Sequence, residues 1–197
     1  MPNNITNILT FTDASEKQIA EVLESIKNDK LGIGSVDFNK IIPMPPEIFR
    51  GNLGQEEREL YGKNNWYDWS VANWGTKWNA YDFDYGNYEP YKEGNQIKFL
   101  TAWTRPEPVI QKLSELFPEI QIFHEWADED VGMNVGEVLY EGGEIEDEYI
   151  PNGGSKEAYE MASATLGVEL SEWGLYYSED TDNYIYRDEE ETEEMNL

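Results

Sequence analysis

QIKFLTAWTRPEPVIQKLSELFPEIQIFHEWA, residues 96–127, changes its apolar period twice along its length. Ile97, Phe99, Thr101 and Trp103 alternate as in a strand, and Val109, Ile110, Leu113, Leu116 and Phe117 then recur at helical spacing. The closing EIQIFHEWA returns to a strand pattern. Thr104 and Glu107, set as a capping box around Pro106, mark the helix start. The segment therefore predicts a β-α-β unit.

The same order is legible upstream. Residues 4–12, NITNILTFT, carry Ile5, Ile8, Leu9 and Phe11 among threonines and read as a strand. Ser15 and Gln18 form a capping box, and Ile19, Val22, Leu23 and Ile26 give residues 16–28 the apolar face of a helix. After the turn LGIG, SVDFNKII from Ser35 to Ile42 reads as a second strand stopped by PMPP. Between the two units lie a charged helix candidate, QEERELYG, and a stretch dense in tryptophan and tyrosine.

Downstream, GMNVGEVLYEGGEIEDEYI reads as a hairpin turning at Glu141–Glu144, with Gly142 and Gly143 free to take positive φ. Ser155 caps a third helix that runs to Leu166 and stops at Gly167. WGLYY and YIYR flank the turn SEDTDN, and DEEETEEMNL is a charged tail.

Two β-α-β halves split by an insert predict an α+β fold of the ferredoxin-like type, an antiparallel sheet with helices on one face. Residues 1–150 are expected to form that domain, with the aromatic insert at about 51–94. Residues 151–197 are expected to form an acidic helix and hairpin extension packed on it.

Charge divides the chain unevenly. Of a net −27, residues 1–118 hold 17 acidic and 12 basic residues, and residues 119–197 hold 24 acidic residues against Lys156 and Arg187 alone. Such a field repels nucleic acid and anionic membranes and attracts basic partners. The chain has no cysteine, hence no disulfide framework and no thiolate chemistry. Without a signal-like N-terminus or an apolar run of about 18 residues, a soluble protein of the bacterial cytoplasm is expected.

MPNNITNILTF, FNKIIPMPPEI, NWGTKWNA (residues 73–80) and TAWTRPEPVIQKLSELFP, taken in order, resemble the YubB-type ferredoxin-like-domain family of plasmid and bacteriophage proteins of unknown function. The resemblance spans roughly residues 1–145 and includes the glycine-punctuated stretch from Gly132 to Gly143. It departs where members commonly read Met-Pro-Asn-Trp-Cys, for this chain has Asn4 and Ile5. It implies the ferredoxin-like fold and a mobile-element origin, and it implies no established reaction.

Catalytic motifs are not apparent. His124 is the one histidine, no serine stands in a Gly-x-Ser-x-Gly elbow, and the glycine-bearing turns GIGSVDF and GNLGQEE lack the spacing of phosphate loops. Asp82, Asp84, Asp128 and Asp130 beside aromatic residues are the places where a glycosidase-type pair could stand. Asp180, Asp182, Asp188 and Glu191 have EF-hand spacing, yet Ile185 occupies the obligatory glycine position. No enzyme, metal or cofactor is expected.

Two readings remain. In the first, the acidic half docks onto a basic, nucleic-acid-binding host protein, as an anti-CRISPR or anti-restriction inhibitor would. The candidate contacts are Glu125, Asp128, Glu129, Asp130 and Glu137, followed by Glu141, Glu144, Glu146, Asp147 and Glu148. In the second, the insert forms a lid with aromatic walls over a small molecule, carbohydrate or peptide, using Trp66, Trp69, Trp74, Trp78, Tyr85 and Tyr88. Trp74 and Trp78, four apart, are expected on one helical face plugging the insert to the sheet, and Trp66, Trp69, Tyr85 and Tyr88 are expected to be the more exposed.

Overall fold

The computed structural model describes residues 2–82 and 94–187. Strand β1 (Asn4–Thr12) is hydrogen-bonded on both sides, antiparallel to β2 (Gln96–Ala102) and to β3 (Gln121–Asp128). Helix α5 (Glu107–Leu116) joins β2 to β3, so these two parallel strands bracket β1 as a split β-α-β unit. Strands β4 (Gly136–Glu141) and β5 (Glu144–Tyr149) extend the sheet beyond β3, giving the order β2-β1-β3-β4-β5.

Alternation along β1 sends Ile5, Leu9 and Phe11 to one face, where helix α1 (Glu16–Ile26) covers them with Ile19, Val22, Leu23 and Ile26. The capping box of Ser15 and Gln18 forms, with Ser15 N donating to Gln18 Oε1 at 3.0 Å. Helix α5 adds Val109, Ile110 and Leu113 to the same core, while Leu116, which spacing places with them, is 50% exposed.

Residues 35–42 do not form the expected second strand. Phe38–Ile41 make a single helical turn, α2, started by Asp37, whose carboxylate accepts the backbone N–H of Asn39 at 3.0 Å. A short acid bonding its own backbone two residues on competes directly with a strand ladder. Val36, Phe38 and Ile41 are still buried, the last two through their three-residue spacing on the helical turn. The outer edge of β2, which that strand would have taken, is met instead by one residue of the insert: Tyr81 and Leu100 exchange backbone hydrogen bonds of 3.1 and 2.9 Å.

The capping box expected at Thr104 and Glu107 is also absent. Pro106 is the N-cap residue, Thr104 Oγ1 donates to the Gly75 carbonyl, and Arg105 takes the Glu107 carboxylate. The insert holds helices α3 (Gln55–Tyr61) and α4 (Trp66–Trp74).

Helix α6 (Lys156–Leu166) lies on the opposite face of the sheet from α1 and α5. Its Ala158 and Ala162 pack on Ala127 together with Val131, Val135, Leu170 and Leu175. Alanines at the contact let the helix backbone approach the sheet closely. The short hairpin β6 (Leu175–Ser178) and β7 (Asn183–Tyr186) closes the described chain. Among the described residues, no helix is long and apolar enough to cross a membrane.

Candidate functional site

The candidate acids separate into two groups by what they touch. Strand β5 is the outermost of the sheet and all six of its residues are exposed. Its turn is fixed to α5: Gly143 N donates to Ser114 Oγ at 3.0 Å, and Gln111 Nε2 donates to the Gly143 carbonyl at 2.9 Å. Gly142 and Gly143 adopt φ of 58° and 87°, as the tight turn requires. Glu144 stands directly across from Glu141, and Glu137 from Glu125. Like charges directly opposite one another destabilise a sheet. Gln121 Nε2 donates to Glu141 at 2.8 Å, and among the described residues no Lys or Arg pairs with Glu141, Glu144, Glu146 or Asp147.

The other acids are engaged within the fold. Asp128 is buried and accepts from Asn3 Nδ2 (3.1 Å), Asp130 N (2.9 Å) and Asn134 Nδ2 (3.2 Å), which organises the turn after β3 and leaves Asp130 exposed beside it. Glu129 accepts from Asn4 Nδ2 at 2.9 Å. Half-buried Glu125 has its carboxyl pKa raised, first by burial and then by Glu137. Glu148 turns back to the Arg105 guanidinium, 2.9 Å away, which also binds Glu107 and lies 4.1 Å above the ring of Trp126. Glu148→Lys is therefore expected to lower the unfolding free energy by about 1 kcal/mol, and Glu146→Lys to change it by less than about 0.5 kcal/mol, when compared by urea denaturation.

In the insert, NWGTKWNA serves attachment. Trp74 is 4% exposed, donates from Nε1 to the Ile42 carbonyl at 2.9 Å, and packs edge-on against Phe38 and Trp69. Thr76 Oγ1 donates to the Ala102 carbonyl (2.7 Å), and Asn79 bridges Phe38 N (2.8 Å) to Asp37 Oδ1 (2.7 Å). Helix α4 ends at Trp74, with Gly75 left-handed behind it, so Trp78 does not share its helical face. Trp78 is instead 38% exposed, while Trp66 and Trp69 are half-buried, reversing the expected order. Lys77 sits between Trp78 (4.4 Å) and the exposed Trp103 (4.8 Å). A groove of about 570 Å³ lies between Trp66, Trp74 and Trp78 on one side and Met44 and Arg50 on the other. Tyr85, Tyr88, Asp84, Asp188 and Glu191 lie outside the described residues.

His124 is fully buried on the helix-covered face, with Nε2 3.0 Å from Asn7 Oδ1. Burial first, and Arg105 second, push its pKa down to about 3. A neutral imidazole buried in the core has no access to a substrate. Asp182, from the EF-hand-spaced run, accepts from Lys156 and Tyr177.

Residues 73–169 match the profile of a family described as a ferredoxin-like domain in Api92-like proteins. The matched stretch holds β2, α5, β3, β4, β5 and α6 but not β1, to which β2 and β3 are both hydrogen-bonded. The ferredoxin-like sheet is thus completed by residues that precede the match. No curated protein and no solved structure matches the chain.

Proposed function

We propose that this is an interaction protein that presents the β4–β5 hairpin to a basic groove which otherwise holds nucleic acid. The observation that carries the reading is the exposed β4–β5 hairpin, with Glu141 at the end of β4 and Glu144, Glu146 and Asp147 of the outer strand unpaired by any described cation, on a turn fixed to α5. The register of β5 shifts between Leu139 and Tyr140, so Glu144 and Asp147 pair with Glu141 and Leu139 while Glu146 is the extra residue of a bulge. The opposed carboxylates of Glu141 and Glu144 cost local stability, a cost that a basic partner would offset. With the resemblance to plasmid and phage proteins, this favours a blocker of host defence that acts sterically and electrostatically, without turnover.

A tagged full-length protein, incubated with nuclease-treated lysate of a bacterium carrying restriction or CRISPR effectors, tests the reading. At low salt it should retain an effector and prevent that effector from binding its nucleic acid. Retention should fall at least about tenfold at 0.5 M salt, where the Debye length is about 4 Å. Combined Glu144→Lys, Glu146→Lys and Asp147→Lys should abolish it. Retention indifferent to salt and to those substitutions, or an effector that still binds nucleic acid when captured, would sink the proposal.

The groove beside Trp66, Trp74 and Trp78 favours a second reading, a ligand stacked on exposed indole near Lys77 and Arg50. Binding there should respond to Trp78→Ala and little to salt.

A further inference from the structure

The second face of the sheet is only partly covered by α6, and between them lies a cleft of about 250 Å³. Leu100 of β2 forms its floor, and Leu166, Val168 and Trp173, from the end of α6 and the turn after it, form its roof. Among the described residues, the charged groups at its rim are Asp82, Glu129 and Lys98. A mostly apolar cleft with a few convergent polar groups has the make-up of a small-molecule site, and this volume suits a ligand below drug size.

The rim is organised. Tyr81 Oη donates to Asn4 Oδ1 at 2.6 Å, and Asn4 Nδ2 donates to Glu129 Oε2 at 2.9 Å, so the Glu129 carboxylate is held in place, and among the described residues none donates to its Oε1. Asp82 stands in the left-handed region at φ 55°, next to Tyr81. Burial, then Glu129, then Asp82 push the Tyr81 hydroxyl pKa up to about 12, so it remains a donor to Asn4 at neutral pH. Helix α6 ends at Leu166, and the carbonyl end of a helix carries partial negative charge. Among the described residues, two carboxylates and that helix end share the cleft with one ammonium, that of Lys98, whose pKa burial lowers. An anion entering the cleft meets net repulsion. A cation meets two carboxylates and the indole of Trp173.

The geometry points to a binding site for a small organic cation, an ammonium group on an aromatic or branched apolar body, held between Glu129 and Asp82 at its charged end and Trp173, Leu166 and Val168 along its body. This site lies on the face covered by α6, apart from the β4–β5 hairpin, and stands or falls independently of docking through that hairpin.

Three probes with the same body but different charge decide it: 2-phenylethylammonium, 2-phenylethanol and phenylacetate, titrated into isotopically labelled full-length protein. Saturable shifts of the Trp173 indole N–H and of the Leu166 and Val168 methyls are expected with the ammonium. Affinity should be about tenfold weaker for the alcohol, with no saturation by phenylacetate up to ~10 mM. Glu129→Gln should weaken the ammonium about tenfold; Asp82→Asn, at an exposed position, provides a second test if the first variant misfolds. The triple lysine variant of the hairpin should bind the probe as the parent does. Phenylacetate binding as well as the ammonium would make Lys98 the anchor and overturn the assignment. So would the absence of saturable shifts, or affinity unchanged in both carboxylate variants.

Discussion

Trp74→Ala is expected to lower the unfolding free energy by about 3–5 kcal/mol, the range for removing a buried tryptophan. Trp78→Ala, four residues on, should cost less than about 1 kcal/mol. Trp74 is enclosed by Phe38, Trp69 and the chain at Ile42, so its removal leaves a cavity and an orphaned carbonyl. Trp78 has one face on Lys77 and its edge towards Tyr81, and is 38% exposed. Urea unfolding curves of the two variants, with the slope unchanged, read the difference as a shift in midpoint. Equal losses would mean that Trp78 also anchors the insert and that the aromatic groove has no free wall. A small loss for Trp74 would mean that the insert is held mainly by Thr76 and Asn79.

The same pair of tryptophans illustrates what the sequence discloses. Four-residue spacing implies a shared helical face only while the helix continues, and Gly75 at φ 75° ends it one residue after Trp74. That glycine was readable as a stop, and Asn65, whose side chain accepts the Asp68 N–H, as the start of α4. Dense aromatics concealed a helix that its caps could have revealed. The segment 96–127 was legible because its periods change cleanly and most of its apolar positions are buried as spacing dictates, Trp103 and Leu116 excepted.

Residues 35–42 were misleading for a local reason: Asp37 bonds Asn39 and, through Asn79, the insert, two contacts that a hydrophobicity pattern does not encode. The acidic surface was legible only as composition. Which carboxylates face outward depends on strand register, which sends Glu148 to Arg105 and leaves Glu146 and Asp147 outside. The cleft under α6 was not legible at all, because it joins Asn4, Asp82, Glu129 and Trp173 from four separate parts of the chain.

The second large effect concerns acid. Asn7 Nδ2 donates to the Ile5 carbonyl (3.0 Å) and to Thr101 Oγ1 (2.9 Å), so its Oδ1 accepts from Nε2–H of a neutral His124. Around the ring stand Trp126, Val138 and the cationic Arg105. The unfolded chain takes up a proton on this histidine below pH 6.5, whereas the fold resists until about pH 3. Stability supplied by the neutral ring is therefore complete above about pH 6.5 and is lost as pH falls towards 3, at about 1.4 kcal/mol per pH unit. Glutamine at position 124 can keep a donor towards Asn7 but does not titrate. The stability advantage of the parent over His124→Gln should thus shrink by about 2–3 kcal/mol between pH 6.5 and 4.5. Carboxylates titrate alike in both proteins and drop out of the difference. A difference that stays flat would mean that the imidazole reaches solvent in the fold. One that grows on acidification would mean that it is charged there, which would need a carboxylate partner; Glu107 and Glu148 are already bound to Arg105.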